Sequence, residues 1–260
     1  MDKEQLKQRV SKAIDENRSR IIDIGEQILK NPELGFKEQK TSILVKDVFK
    51  NLGLPFEENL AITGVKALGK GKSHDVKVAI MGELDAVVSP QHPYADSITG
   101  AAHACGHNAQ VANMLGAAIG MTAANAFGEL SGDVAFMAVP AEEYVELEYR
   151  EKLRDEGKIK FFSGKQEFIR IGAFDDIDMG MMVHSNAGVG ERKAFISGGS
   201  TGFIGKTVRY KGKEAHSGAA PHEGINALNA AMLGLMAIHV QRETFRDEDG
   251  VKVHPIITKG

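Results

Sequence analysis

The chain has 260 residues, more than one average domain and fewer than two, which predicts one large α/β domain with an appendage. Hydrophobic residues at 42% and charged residues at 26% are globular proportions that exclude disorder and collagen-like repeats. Lys and Arg number 32 against 35 Asp and Glu, a formal charge of −3 that argues against a nucleic-acid binder or a polybasic membrane protein.

Residues 1–20, MDKEQLKQRVSKAIDENRSR, are charged throughout and cannot form the apolar core of a signal peptide. Leu6, Val10 and Ile14, then Ile21, Ile22, Ile24 and Ile28, recur at a helical period and predict a helix closed by Asn31-Pro32. A second helix is expected from about Lys37 to Leu52, ended by Gly53. Apolar runs at Val76–Met81, Val134–Val139 and Met179–Val183 have strand length, and helical patterns between them predict central strands covered on both faces. The helix between the first two carries Val111, Met114, Leu115, Ala118 and Ile119 on one face. It lies in a stretch without charged residues, Ser97–Gly128, where His103, His107, Asn108, Gln110, Asn113 and Asn125 argue for a buried segment rather than a membrane span. Together with the single cysteine, which fits a reducing compartment, this predicts a cytoplasmic protein.

From Glu142 to Arg170 both charge signs alternate, and a solvated helix or insertion is expected. Ile196–Gly202 (ISGGSTG) breaks the composition as a hinge does. Beyond it the pattern predicts a strand at Phe203–Tyr210, a helix from near Pro221 carrying Ile225, Leu228, Met232, Leu235 and Met236, and a strand at Val251–Thr258. A lone βαβ piece with bare edges is a poor independent unit.

Ligands of open α/β sheets bind beyond the carboxyl ends of the strands. Here those ends carry Gly82-Glu83-Leu84-Asp85, Pro140-Ala141-Glu142-Glu143 and His184, while His103-Ala104-Cys105-Gly106-His107-Asn108 opens a helix. An isolated cysteine is ordinarily a small buried hydrophobe, but Cys105 lies two residues from each of His103 and His107, and thiolate with imidazole suits zinc. The competing reading is a cysteine nucleophile with a histidine base. Glu142-Glu143 either starts a charged helix or divides two tasks, one carboxylate ligating metal and its neighbour taking a proton from an activated water. Asp85 either ends its strand or orients a ligand histidine. His184 alone would read as a satisfied core or turn histidine, and nothing converges on His74, His92, His239 or His254.

GELDAV, HACGHN, VPAEE and MMVHS occur in the order and approximate spacing of the aminoacylase-type di-zinc metallopeptidases. The chain resembles most the amidohydrolase branch, which includes hippurate, aminobenzoyl-glutamate and indoleacetyl-amino-acid hydrolases. GKEAHSGAAPHEGINALNAA is similar to that branch's lid motif, and the resemblance runs from Asn31-Pro32-Glu33-Leu34-Gly35-Phe36 onward. It implies a mixed, largely parallel sheet with helices on both faces, a catalytic metal-binding domain over residues 1–197, and a partial ferredoxin-like α+β lid over 198–260. Carried over, Cys105 would bridge two divalent ions, zinc foremost with manganese or cobalt as alternatives. His107, Glu143 and His184 would be further metal ligands, Glu142 the general base and Asp85 the aspartate that orients a ligand histidine. His216 would stabilise the oxyanion, reaching into the partner's active site in a homodimer formed through the lid.

The resemblance also marks three departures. The family often has CGHD followed one residue later by His, where this chain has Asn108 and Gln110, and no residue matches the family's final histidine ligand. The expectation is therefore an incomplete member, lacking its C-terminal part, with little or no hydrolytic activity of its own. For the intact protein it is a metal-dependent hydrolase of N-acyl amino acids or related conjugates. The alternatives are a dipeptidase of the same family and a non-catalytic metal-binding or dimerising fragment. A small substrate, no nucleic acid and no membrane complete the expectation.

Overall fold

The first amphipathic run breaks into two helices, α1 (Lys3–Glu16) and α2 (Arg18–Leu29), where the sequence predicted one. Asp2 caps α1 by accepting the Gln5 N–H, and the Asn17 side chain closes it by donating to the Ala13 carbonyl at 2.8 Å. The computed structural model describes residues 2–186, 194, 196 and 202–258. After Pro32, the Glu33 carboxylate accepts the N–H groups of Lys40 and Thr41 at 3.0 Å each, which starts α3 (Gln39–Asn51).

Among the described residues, seven strands follow in two sheets: β1 (Phe56–Leu60), β2 (Gly64–Gly69), β3 (Lys77–Glu83), β4 (Val87–Val88), β5 (Ala101–Ala102), β6 (Asp133–Val139) and β7 (Met179–Met182). The main sheet has the order β1-β2-β6-β3-β7. β6, β3 and β7 run parallel, while β1, β2 and β6 pair antiparallel, so the sheet is mixed. The hairpin β1–β2 had no sequence signal because β1 (FEENL) is a polar edge strand. Parallel strands need long crossovers. α4 (His107–Ala123) provides the first, and α5 (Leu147–Asp155) with α6 (Gly164–Arg170) the second.

All seven residues of β6 are buried, and their alternation divides the core. Val134, Phe136 and Ala138 point into one cluster with Ile24, Val45, Phe49, Val111 and Leu115 of the helices α2, α3 and α4. Ala135, Met137 and Val139 point into the other, with Leu153 of α5 and Phe168 of α6. Helices thus cover both faces of β6, as expected for a strand written as a continuous apolar run, whereas β7, also expected to be central and covered, is an exposed edge strand. The α5–α6 segment departs from expectation. It is no solvated insertion, because Arg150 and Glu167 are buried with Leu153 and Phe168.

The chain divides into two units, residues 1–188 and 189–260. Of the predicted hinge, residues 197–201 lie outside the described residues, as does the expected domain boundary between 197 and 198. In the second unit, α7 (Ala227–Gln241) starts later than its pattern suggested: Pro221–Glu223 form one 3-10 turn, and Asn226 caps α7 by accepting the Asn229 N–H. The strands predicted at Phe203–Tyr210 and Val251–Thr258 do not form among the described residues. A strand has no hydrogen bonds of its own, and here the pairing is confined to one bridge between Lys213 and Ile225. Among the described residues of this unit, the ferredoxin-like sheet is not seen. Among the described residues, no helix is long and apolar enough to cross a membrane.

Phe136 is fully buried between Phe49 and Phe127, with ring centroids 6.3 Å away in each case. Phe136→Ala should destabilise the first unit by about 3–5 kcal/mol in urea unfolding followed by circular dichroism; a loss below 1 kcal/mol would mean that this core repacks freely.

Candidate metal centre

The strand β3 runs two residues past the predicted stop, so Glu83 belongs to it and Asp85 lies just beyond its end. Gly82 lets α4 pack directly on β3, since a Cβ there would come within 3.1 Å of the Val111 Cα. Gly106 adopts a left-handed φ of 90° as the residue before α4, and any side chain on it would strike the Ser185 hydroxyl. This tight approach puts Cys105 and His107 opposite the segment after β7, where the Ser185 hydroxyl donates to the Cys105 carbonyl at 2.7 Å.

His107 is the buried centre of the site. Its Nδ1 lies 2.9 Å from the Asp85 carbonyl and 3.5 Å from Asp85 Oδ1. A carbonyl only accepts, so Nδ1 carries the proton. His184 is arranged likewise, its Nδ1 lying 2.8 Å from the Ser185 carbonyl and its Nε2 3.4 Å from Cys105 Sγ. The ligand atoms of Cys105, His107 and His184 all lie within 4.8 Å of one another, as do those of Glu83, His107 and Glu142. Glu142 Oε2 and Glu143 Oε1 each stand 3.9 Å from His107 Nε2. Glu143 is fixed through its main chain, whose N–H donates to Asp85 Oδ2 at 2.9 Å. His107 Nε2 is buried and stands 3.1 Å from Glu83 Oε2. Thiol, imidazole and carboxylate donors converging on this ring nitrogen fit zinc or a similar divalent ion.

The electrostatics agree with that assignment. Burial alone would lower His107, but the Asp85 and Glu83 carboxylates beside it raise the imidazole to about 10. Glu83 is desolvated, yet His107 and Lys165 bring it down to about 2. Burial and the neighbouring Glu143, Glu142 and Glu83 push the Cys105 thiol up to about 12. A nucleophilic cysteine needs the opposite shift, which removes the main support for the cysteine-hydrolase reading. Glu142 is also raised, by burial and by the Glu83 charge.

Cys105, His107, Glu142, Glu143, His184 and Asp85 are therefore gathered in the first unit, with His107 and Asp85 buried and His184 exposed. Glu143 does not belong to either close donor set, although its carboxylate faces the same nitrogen. His216 lies in the second unit, where its Nδ1 accepts the N–H groups of Gly218 and Ala219 at 3.2 and 3.1 Å. Sequence reasoning gave no role to Glu83 or Lys165. Lys165 Nζ contacts Glu83 Oε1 and lies 3.8 Å from Glu142 Oε1. Gln110 accounts for one departure from the family pattern: it accepts the Glu83 N–H at 2.5 Å and donates to Glu83 Oε2 at 3.1 Å. Asn108 turns away and donates to the Gly25 carbonyl at 3.3 Å, so it gives the site no support.

Residues 79–245 match peptidase family M20/M25/M40. The chain belongs to this family. Thermostable carboxypeptidase 2 of Saccharolobus solfataricus is 30% identical over 217 residues, which cover 80% of this chain and 50% of that protein. Xaa-Arg dipeptidase of Mus musculus is 28% identical over 99% of this chain and 54% of its own length. IAA-amino acid hydrolase ILR1-like 5 of Arabidopsis thaliana is 28% identical over 86% of this chain and 48% of its own length. The chain spans about half the length of these curated M20-family relatives. Among solved structures, the Bacillus subtilis YXEP protein, a dinuclear metal-binding M20 peptidase, is 25% identical with a TM-score of 0.51, over 63% of this chain and 42% of that one.

Two measurements check the electrostatics. His107 and Cys105, at about 10 and about 12, are both protonated at pH 8, so zinc binding there should release about two protons. Calorimetry in buffers of different ionisation enthalpy reads that number, and a release near zero would contradict the donor set. Glu38 is fully buried, and burial with the nearby Asp85 charge raises it from 4.5 to about 7. The folded metal-free chain therefore keeps this proton where the unfolded chain has lost it, a stabilisation complete below pH 4.5 and gone above about pH 7. Glu38→Gln should flatten the decline of melting temperature across that window relative to wild type.

Proposed function

We propose that this centre serves hydrolysis of the amide bond in an N-acyl amino acid or a related conjugate, with Cys105, His107, Glu143 and His184 holding divalent ions. The observation that carries the reading is the convergence of Cys105 Sγ with the Nε2 atoms of His107 and His184 beside Glu142. The names of the relatives add to it: a carboxypeptidase, a dipeptidase and an IAA-amino acid hydrolase share an amide to an amino acid. The chemistry a divalent ion supplies when bound is polarisation of the scissile carbonyl and acidification of the attacking water.

Glu142 is the group suited to proton transfer. Its raised pKa makes it a better base than an ordinary surface carboxylate, and its partly open side faces the donor set. It takes the proton of the attacking water and delivers it to the leaving amine nitrogen. Asp85 holds His107 with Nε2 turned toward Glu83 and Glu142 and fixes the Glu143 amide. His216 is assigned to the oxyanion: with Nδ1 accepting two N–H groups, its proton sits on Nε2, free to donate outward. In this reading the second unit also carries homodimerisation.

Glu142→Gln should keep zinc binding within a few-fold while lowering turnover of N-acyl amino acids by about 10²–10⁴-fold. Equal loss of metal and activity would reassign Glu142 as a ligand.

A further inference from the structure

The Pro140–Glu143 segment carries both site carboxylates, and its Ala141 and Glu143 carbonyls accept the Gly164 and Val145 N–H groups at 3.2 and 3.0 Å. Ala141 is fully buried with a left-handed φ of 50°, a conformation that a non-glycine residue keeps only when its surroundings enforce it. Buried charged side chains add to that enforcement. Glu38 Oε1 accepts the Ala141 N–H at 2.8 Å, and Glu38 Oε2 accepts the Thr63 hydroxyl at 2.6 Å. Arg150, from α5, is 1% exposed. It donates Nη1 to the Phe162 carbonyl and, at 3.5 Å, to the Ala141 carbonyl, and it donates Nη2 to the Glu143 carbonyl.

This guanidinium is unusual in its partners. A buried arginine normally offsets its desolvation against a carboxylate, yet all the hydrogen bonds of Arg150 go to main-chain carbonyls, with Asp85 and Glu38 acting on it through their fields. The surrounding chain is shaped to admit it. A Cβ on Gly35 would collide with Arg150 Nη2 and come within 2.9 Å of Ala141, and the Phe36 ring lies 5.4 Å from the guanidinium carbon. We infer that Arg150 is a positioning residue for the carboxylate pair: its planar fork spans the carbonyls of residues 141 and 143 and sets the direction in which Glu142 and Glu143 leave the backbone. The inference rests on the metal-centre reading above.

The test is a cobalt(II) titration of the full chain and its variants, with circular dichroism as the check on folding. Arg150→Met removes the arginine from all three carbonyls, of which Ala141 and Glu143 keep the Gly164 and Val145 N–H groups, and it endangers the fold. The informative variant is therefore Arg150→Lys, which keeps charge and most of the volume but has no fork. If Arg150 acts through Glu143, Arg150→Lys weakens cobalt binding about 10–100-fold, and the double variant with Glu143→Gln is no weaker than Glu143→Gln alone. Wild-type affinity in Arg150→Lys, or losses that multiply in the double variant, overturn the inference while leaving the metal centre standing. No cobalt binding by the wild type, or none lost in Glu143→Gln, removes Glu143 and the metal-centre reading, and the role of Arg150 with them.

Discussion

Asp85 joins the two halves of the site. Its main-chain carbonyl fixes the proton of His107 on Nδ1, and its carboxylate fixes the main chain of Glu143. One fully buried residue at the end of a central strand thereby sets both the His107 ring and the loop that faces it. Low-dielectric surroundings make such hydrogen bonds strong and their absence expensive, so this junction is held to a narrow geometry.

Around it the protein accumulates charges that a stable core would avoid. Glu83, Asp85, Glu38 and Arg150 are all almost completely buried. Burying unmatched charge costs several kcal/mol per group unless partners compensate. The compensation is specific: Gln110, Lys165 and His107 surround Glu83, while Thr63 and the Ala141 amide serve Glu38. The gathered carboxylates raise His107 and Cys105, while His107 and Lys165 depress Glu83.

The strand-like runs VKVAIM, VAFMAV and MGMMV were legible as continuous apolar segments, although only VAFMAV is buried on both faces and MGMMV forms an exposed edge strand. β1 and β2 were not, since an edge strand such as FEENL carries the polar composition of a loop. In the site, Cys105, His107, Glu142 and His184 stood out because they sit at element ends, where local pattern and chemistry coincide. Arg150 and Glu167 misled, because charges within a helical stretch look solvated until tertiary packing supplies their partners. The second unit misled in the opposite direction: Phe203–Tyr210 has strand composition but no ladder.

The amino-acid sequence alone determined which residue types bear the chemistry, the strands and helices that end in them, and the family pattern they form, because these depend on local periodicity and short spacings. Tertiary structure decided which main-chain carbonyl holds Nδ1 of His107 and of His184, that Gln110 supports Glu83 while Asn108 faces Gly25, and that a buried arginine from α5 clamps the carboxylate loop. Those outcomes hinge on hydrogen bonds between residues far apart in the chain, such as Ala141 with Glu38 and Glu143 with Asp85. Only the closed fold brings them within reach.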